Sequence, residues 1–389
     1  ATKQYVDALE ARVDTLETEM ADLQDLLASV SLENGGEDFV FTGVNVHVRD
    51  GSGDTDGTVN GLGNLIVGYN EDTSTGGTET RTGSHNLVVG DEHEYTSYGG
   101  LVIGYENTIT AAFAVVSGGY KNTASGWTSS VSGGHANTAS GNSSSVSGGQ
   151  GNTASGYSSY VSGGQGNTAS GSYSSISGGW DNTASGFSSS VSGGRYNTAS
   201  GRYSSVLGGG WDNPSLGNEA WADYSIVAGG RSNVAGDDSG ADRTVGEASA
   251  VLAGLSNRAE ADLAAVSGGS GNTASGVYSS VSGGSDNTAS GYHSYVSGGQ
   301  LNTASEDSSS VIGGYANTAS DYYSSVSGGS ENTASGDYSS VSGGSENTAS
   351  GDYSSVSGGT VNEASGENST IGGGANGSVS GGADWLAGT

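Results

Sequence analysis

The sequence predicts an all-β fold, a parallel β-solenoid of about 20 coils with 14–15-residue repeats behind an N-terminal α-helical coiled coil. Three observations predict it. Residues 326–340, VSGGSENTASGDYSS, are repeated letter for letter as residues 341–355. Val or Ile returns every fifteenth residue from Val116 to Val206 and again from Val251 to Ile371. Gly supplies 73 of 389 residues and hydrophobics only 32%, too lean for an ordinary core. A unit this short cannot bury a core alone and gains stability by stacking on its neighbours. Collagen would need Gly at every third position and much Pro, and Pro214 is the single proline.

The first element is a helix over residues 3–32. Val6, Val13, Met20 and Leu27 alternate with Leu9, Leu16, Leu23 and Val30 as the a and d positions of four heptads, the pattern of a parallel coiled coil about 45 Å long. Arg12 at g can pair with Glu17 at e of a neighbouring strand. Val at a with Leu at d favours two strands. A lone amphipathic helix lying on its own solenoid is the competing reading.

Asn34, Gly35 and Gly36 end the helix, and residues 39–48, FVFTGVNVHV, alternate like a strand. The turn at residues 50–57, DGSGDTDG, offers Asp50, Asp54 and Asp56, with Ser52, as oxygen ligands for Ca²⁺. It lacks the late Glu of an EF-hand loop, so a solvated turn stands beside the calcium reading. Residues 1–33 thus form the helix, 34–64 a connector or cap, 65–206 and 251–382 regular solenoid, 207–250 coils with inserted loops, and 383–389 a tail.

The solenoid anchors are Leu65, Leu87, Leu101, Val116 and the Val or Ile of each later coil, 20 in all. At about 4.8 Å between stacked strands the solenoid is roughly 95 Å long. A period of two puts Val131 on one face with Ser132 opposite, and Asn137 and Ala139 inward with Thr138 and Ser140 outward. Val326 and Val341 repeat the role of Val131. One Val and one Ala per coil make a thin core, which favours association of several solenoids. The repeated Asn predicts an amide ladder, and Tyr, Trp or Phe three or four residues before the anchors predict an aromatic stripe along one corner.

These coils resemble the head domain of YadA-type trimeric autotransporter adhesins. Asn64-Leu65-Ile66-Val67-Gly68 and Asn86-Leu87-Val88-Val89-Gly90 match the first half of that motif, and the repeated Asn-Thr-Ala-Ser-Gly matches the second. The resemblance covers about residues 62–382 and implies a left-handed parallel β-roll, three copies of which pack side by side as a homotrimer. In most coils Gly replaces the motif's second aliphatic, as at Gly118 and Gly133, and here the coiled coil precedes the coils.

A net charge of −31 opposes binding to nucleic acid, whose phosphates select clustered Lys and Arg, and no cation follows Arg258. No cysteine is present, which removes thiol catalysis, thiolate metal sites and disulfides. No apolar run approaches the roughly 20 residues of a membrane helix. A start at Ala suits a processed, secreted chain, and the expected location is extracellular or at a cell surface.

His85 and His93 lie near Asp91 and Glu92, which suggests either a metal site or a surface corner. No catalytic constellation is recognisable, so an enzyme is not expected and no cofactor is expected beyond Ca²⁺. A specific site is best sought where the stride lengthens, with Trp211, Trp221, Tyr224, Asp237 and Asp238 as candidate recognition residues and Asp212, Asp242 and Arg243 nearby. The leading expectation is a self-assembling structural fibre, with head-to-tail stacking of solenoid ends as one route. An adhesin or phage-tail-fibre-like protein binding surface glycans or proteins comes second. The Thr-x-Ser rows, such as Thr138 and Ser140, suggest ice binding as a minor third.

Overall fold

The computed structural model describes residues 2–71 and 80–387. Helix α1 spans Thr2–Leu27, and every residue of it whose side chain is described is exposed. It stops before the fourth heptad closes: Val30 lies in strand β1 (Val30–Glu33), not in the helix. That strand pairs antiparallel with β2 (Asp38–Phe41), Val30 opposite Phe41 and Leu32 opposite Phe39. The turn between them needs left-handed backbone, supplied by Asn34 at φ 50°, Gly35 at 76° and Gly36 at 98°. Strand pairing of β-branched and aromatic residues thus overrides the heptad at its end. The strand expected over residues 39–48 is correspondingly shorter, ending at Phe41. No helix among the described residues is long and apolar enough to cross a membrane.

From Leu65 onward the chain is a parallel solenoid of about 20 coils with two continuous ladders. The first, here the valine sheet, runs coil to coil from Leu65–Val67 to Trp385–Leu386, with pairs such as Ser130↔Ser145 and Val131↔Val146. The second, the alanine sheet, runs from Glu94–Tyr95 to Ser378–Val379, with Thr138↔Thr153 and Ala139↔Ala154. Single-residue parallel bridges make a third row, from Tyr105↔Tyr120 to Thr360↔Ala375, broken between Gly210 and Arg231 where a loop is inserted.

The core is one column of each type. Val131, Asn137, Ala139 and Val326 are fully buried, and Val341 nearly so. In the first coils the expected anchors are one residue out of place. Leu101 pairs with Val115, so Val102 aligns with the anchor Val116, and Val88 and Val102 are buried while Leu65, Leu87 and Leu101 face outward. A strand has period two, so a one-residue error exchanges its faces.

The asparagine ladder forms as expected and does more than stack. In Asn167, Nδ2 donates to Gly163 O at 3.0 Å, to Gly179 O at 3.0 Å and to Asn152 Oδ1 at 3.1 Å, while Oδ1 accepts from Asn182 N at 3.0 Å. Each amide thereby ties its own corner to the coils on both sides, satisfying buried backbone groups such as Gly163 O and Asn182 N that have no other partner. Gly is required at the same corner: Gly134 has φ +90°, and a Cβ there would run into the carbonyl oxygen of Gly149. A buried Ser two residues before most anchors, such as Ser144, or Ala as at Ala114 and Ala264, completes the interior.

Candidate functional surfaces

The apolar stripe of α1 is built by the heptad spacing, which returns a side chain to one face every 3.5 residues. Val6, Leu9, Val13, Leu16, Met20, Leu23 and Leu27 are 47–58% exposed, so in a single chain the stripe has nothing to pack on. The hairpin that follows has an apolar face of its own: Val30, Leu32, Phe39 and Phe41 share one face by register, and Leu32, Phe39 and Phe41 are exposed. The rings of Phe39 and Phe41 meet edge to face at 5.0 Å.

The aromatic corner is present along much of the solenoid. Tyr157, Tyr173, Phe187 and Tyr203 follow one another at 5.5, 5.5 and 5.6 Å, each edge to face with the next. Tyr203 and Tyr224 then stack at 5.1 Å, as do Tyr323, Tyr338 and Tyr353. Parallel stacking occupies the ring faces and leaves edges and hydroxyls to solvent, whereas the edge-to-face run keeps some faces open. Tyr at the third place before the anchor adopts a left-handed backbone, φ 55° at Tyr338, which aims it out of the corner.

The lengthened coils separate the candidate recognition residues rather than gathering them. Trp211 lies in the first inserted loop with the Arg231 guanidinium 5.4 Å from its ring, while Trp221 flanks the alanine sheet with Arg243 4.5 Å away. Tyr224 belongs to the aromatic corner. Asp237 caps its own turn, accepting from Ser239 N at 2.9 Å, and the Ser239 hydroxyl and amide hold its carboxyl below the usual range. Asp238 and Glu260 both bind the Arg258 guanidinium, so the second loop is pinned down over the alanine sheet. Burial beneath it, with the nearby Asp238 charge, raises the carboxyl of Glu219. Sequence reasoning missed how the arginines concentrate here, with Arg195 3.9 Å from the Trp180 ring and Arg202 5.8 Å from Phe187. Their crowding between residues 195 and 258 was the available signal.

The Asp50 turn does not assemble the expected calcium ligands. Asp50 is buried and its Oδ1 accepts from Ser52 N at 2.8 Å and Ser52 Oγ at 2.7 Å, bonds that lower its pKa. Asp54 and Asp56 are exposed, and no three His, Cys, Asp or Glu among the described residues converge as a metal would require. An open cleft of about 730 Å³ adjoins the turn, lined by His47, Arg49, Asp50, Asp54 and His85 among others.

His85 and His93 also stand apart. His93 is fully buried in the asparagine column: its backbone N donates to Asn70 Oδ1 at 2.7 Å, its Nδ1 accepts from Asn107 N at 3.2 Å, and its Nε2 lies 3.1 Å from Val89 O. These contacts define a neutral ring protonated at Nε2, which substitutes for an amide. Burial holds its pKa below the ordinary 6.5. No protein-family model matches the chain, and no curated protein matches it.

Proposed function

We propose that the chain is a subunit of an extracellular, homo-oligomeric structural fibre whose work is mechanical. The observation that carries this is the unpacked apolar stripe of α1, followed by a hairpin that also exposes an apolar face. Exposed apolar surface of that extent, on two successive elements, is a surface for association. Three copies, a parallel coiled coil and β-rolls side by side are the arrangement that the resemblance to YadA-type heads implies, and the heptad spacing supports its helical part. The thin core supports partnership as well, since one Val and one Ala per coil contribute little against the entropy of ordering fifteen residues.

Light scattering on the full chain is expected to give three times the chain mass of 38.1 kDa, with rods in negative stain. A monomer at micromolar concentration overturns the reading. Recognition of surface glycans is a second reading, favoured by the edge-to-face run from Tyr157 to Tyr203, which keeps ring faces open. Silence on a glycan array removes it. Ice binding by the Thr-x-Ser rows fits poorly, because Trp221, Arg258, Glu260 and the pinned loop break the flat hydroxyl face in the middle.

A further inference from the structure

We propose that the outer face of the valine sheet is the surface on which copies of this chain meet along the whole length of the solenoid. The proposal rests on the homo-oligomeric reading above and adds to it which side of the coil is turned inward.

Charge selects the face. Of all residues 13% are charged, and the net is −31, so two copies repel wherever their ordinary surfaces approach. The outer face of the valine sheet consists of the residues immediately before and after each inward Val or Ile, such as Ser130 and Ser132 around Val131. From Leu65 to Gly372 none of these positions carries Asp, Glu, Lys or Arg. The corresponding positions of the alanine sheet carry Glu94, Glu219, Arg258, Glu260 and Glu363, close to the average for the chain.

Continuity selects it again. Both inserted loops leave the coil away from the valine sheet, whose ladder passes unbroken from Val206 to Val227 and Val251. The alanine sheet is overlaid in the middle by the loop that Asp238 pins to Arg258. The valine face is roughly 95 Å long and about 10 Å wide, on the order of the 800 Å² per partner that a stable interface buries.

The side chains on this face fit a second copy. Small hydroxyls predominate, some bonded along the row as in Ser130 Oγ to Ser145 Oγ and Ser190 Oγ to Ser205 Oγ, both 3.1 Å, and others are free to pair with a facing copy. Exposed Tyr160, Leu207, Leu252, Tyr295 and Ile312 interrupt it at intervals. Tyr160 and Tyr295 lie along the sheet, their hydroxyls 2.8 Å from Ser147 Oγ and 3.1 Å from Ser282 Oγ. Rotational symmetry about a shared axis brings each of these residues to its own mate in the neighbouring copies, giving apolar layers that fix the register.

The chain has no cysteine, so single cysteines report contact cleanly. In the full chain Leu16→Cys, Ser132→Cys and Ser140→Cys are treated with a thiol cross-linker spanning about 10 Å, the spacing of packed sheets. Ser132 and Ser140 belong to the same coil, on the valine and alanine faces respectively. Cross-linking of L16C and S132C but not S140C is the expected result. If L16C cross-links while S132C does not, or S140C does so equally, the face is wrong although the oligomer stands. If none cross-links and light scattering gives a monomer, the homo-oligomeric reading itself fails. As a second variant, Leu252→Glu with Ile312→Glu, both exposed in one chain, is expected to cut S132C cross-linking at least tenfold while leaving L16C cross-linking and the circular dichroism of the coils unchanged. Unaltered S132C cross-linking in that background overturns the proposal.

Discussion

Buried hydroxyls and amides, more than aliphatic groups, decide the stability of a coil. The Asn167 side chain makes five hydrogen bonds, and Asn167→Ala leaves two buried backbone groups, Gly163 O and Asn182 N, without a partner, at about 1–3 kcal/mol each. Local unfolding free energy, read by amide hydrogen exchange in neighbouring coils, is expected to fall by at least ~2 kcal/mol. Serine at the buried corner divides into two cases. Ser204 Oγ donates to Gly201 O at 2.8 Å, whereas Ser144 Oγ is buried without a partner. Ser204→Ala is expected to cost about 1 kcal/mol and Ser144→Ala nothing, or to stabilise slightly, in the same exchange measurement. His93 adds a pH dependence. Its pKa is depressed in the folded state, so the unfolded chain binds the proton more readily. The contribution is complete above about pH 6.5 and is lost as pH falls below it toward the folded value. His93→Asn, which restores the residue used elsewhere in the column, is expected to flatten that slope relative to the parent chain in thermal melts at pH 7.5 and 5; an unchanged difference refutes the assignment.

At the scale of the element, register is what separates core from surface. Val102 is buried and Leu101 is not, so Val102→Ser is expected to lower the local stability of its coil by about 2–3 kcal/mol while Leu101→Ser leaves hydrogen exchange within the coil nearly unchanged. The regular coils were legible from sequence because a strict period with Val, Asn and Ala at set places leaves one way to alternate in and out. In the first coils three aliphatics stand together, Leu-Val-Ile at 101–103, and alternation cannot choose among them; only pairing with the next coil does. The helix was legible to Leu27 by its heptads, but Val30 satisfied both a d position and a strand, and the hairpin partner Phe41 decided it. The aromatic corner was readable because Tyr recurs at a fixed offset. The loop clasp was not, because Asp238, Arg258 and Glu260 meet only once the loop folds back over the sheet.

For the whole molecule the dominant quantity is charge. After Arg258 there are only acids, and carboxylates recur one coil apart at one corner, as at Asp337 and Asp352. The carboxyl of Asp337 is raised by its hydrogen bond with Asp321, with the Asp321 and Asp352 charges acting in the same direction. Repulsion over about 4.8 Å survives at ordinary ionic strength, where the screening length is about 10 Å, and is largely quenched at 1 M, where it is about 3 Å. Assembly is therefore expected to strengthen with salt, the dissociation constant from sedimentation falling at least tenfold between 0.05 and about 1 M NaCl. An assembly that weakens with salt would mean that attraction between unlike charges, not a neutral face, holds the copies together.

The coil-to-coil ladder also sets how the solenoid yields under load. Each regular coil occupies about 4.8 Å of the folded rod but stores fifteen residues, which span roughly 50 Å when drawn out. Because neighbouring coils are nearly identical, a break at one gives slack without exposing a new kind of surface, and the chain can wind back onto the same template. Loss of a few turns therefore lengthens the tether by an order of magnitude more than it shortens the rod, which makes the solenoid a spool of reserve length as well as a shaft.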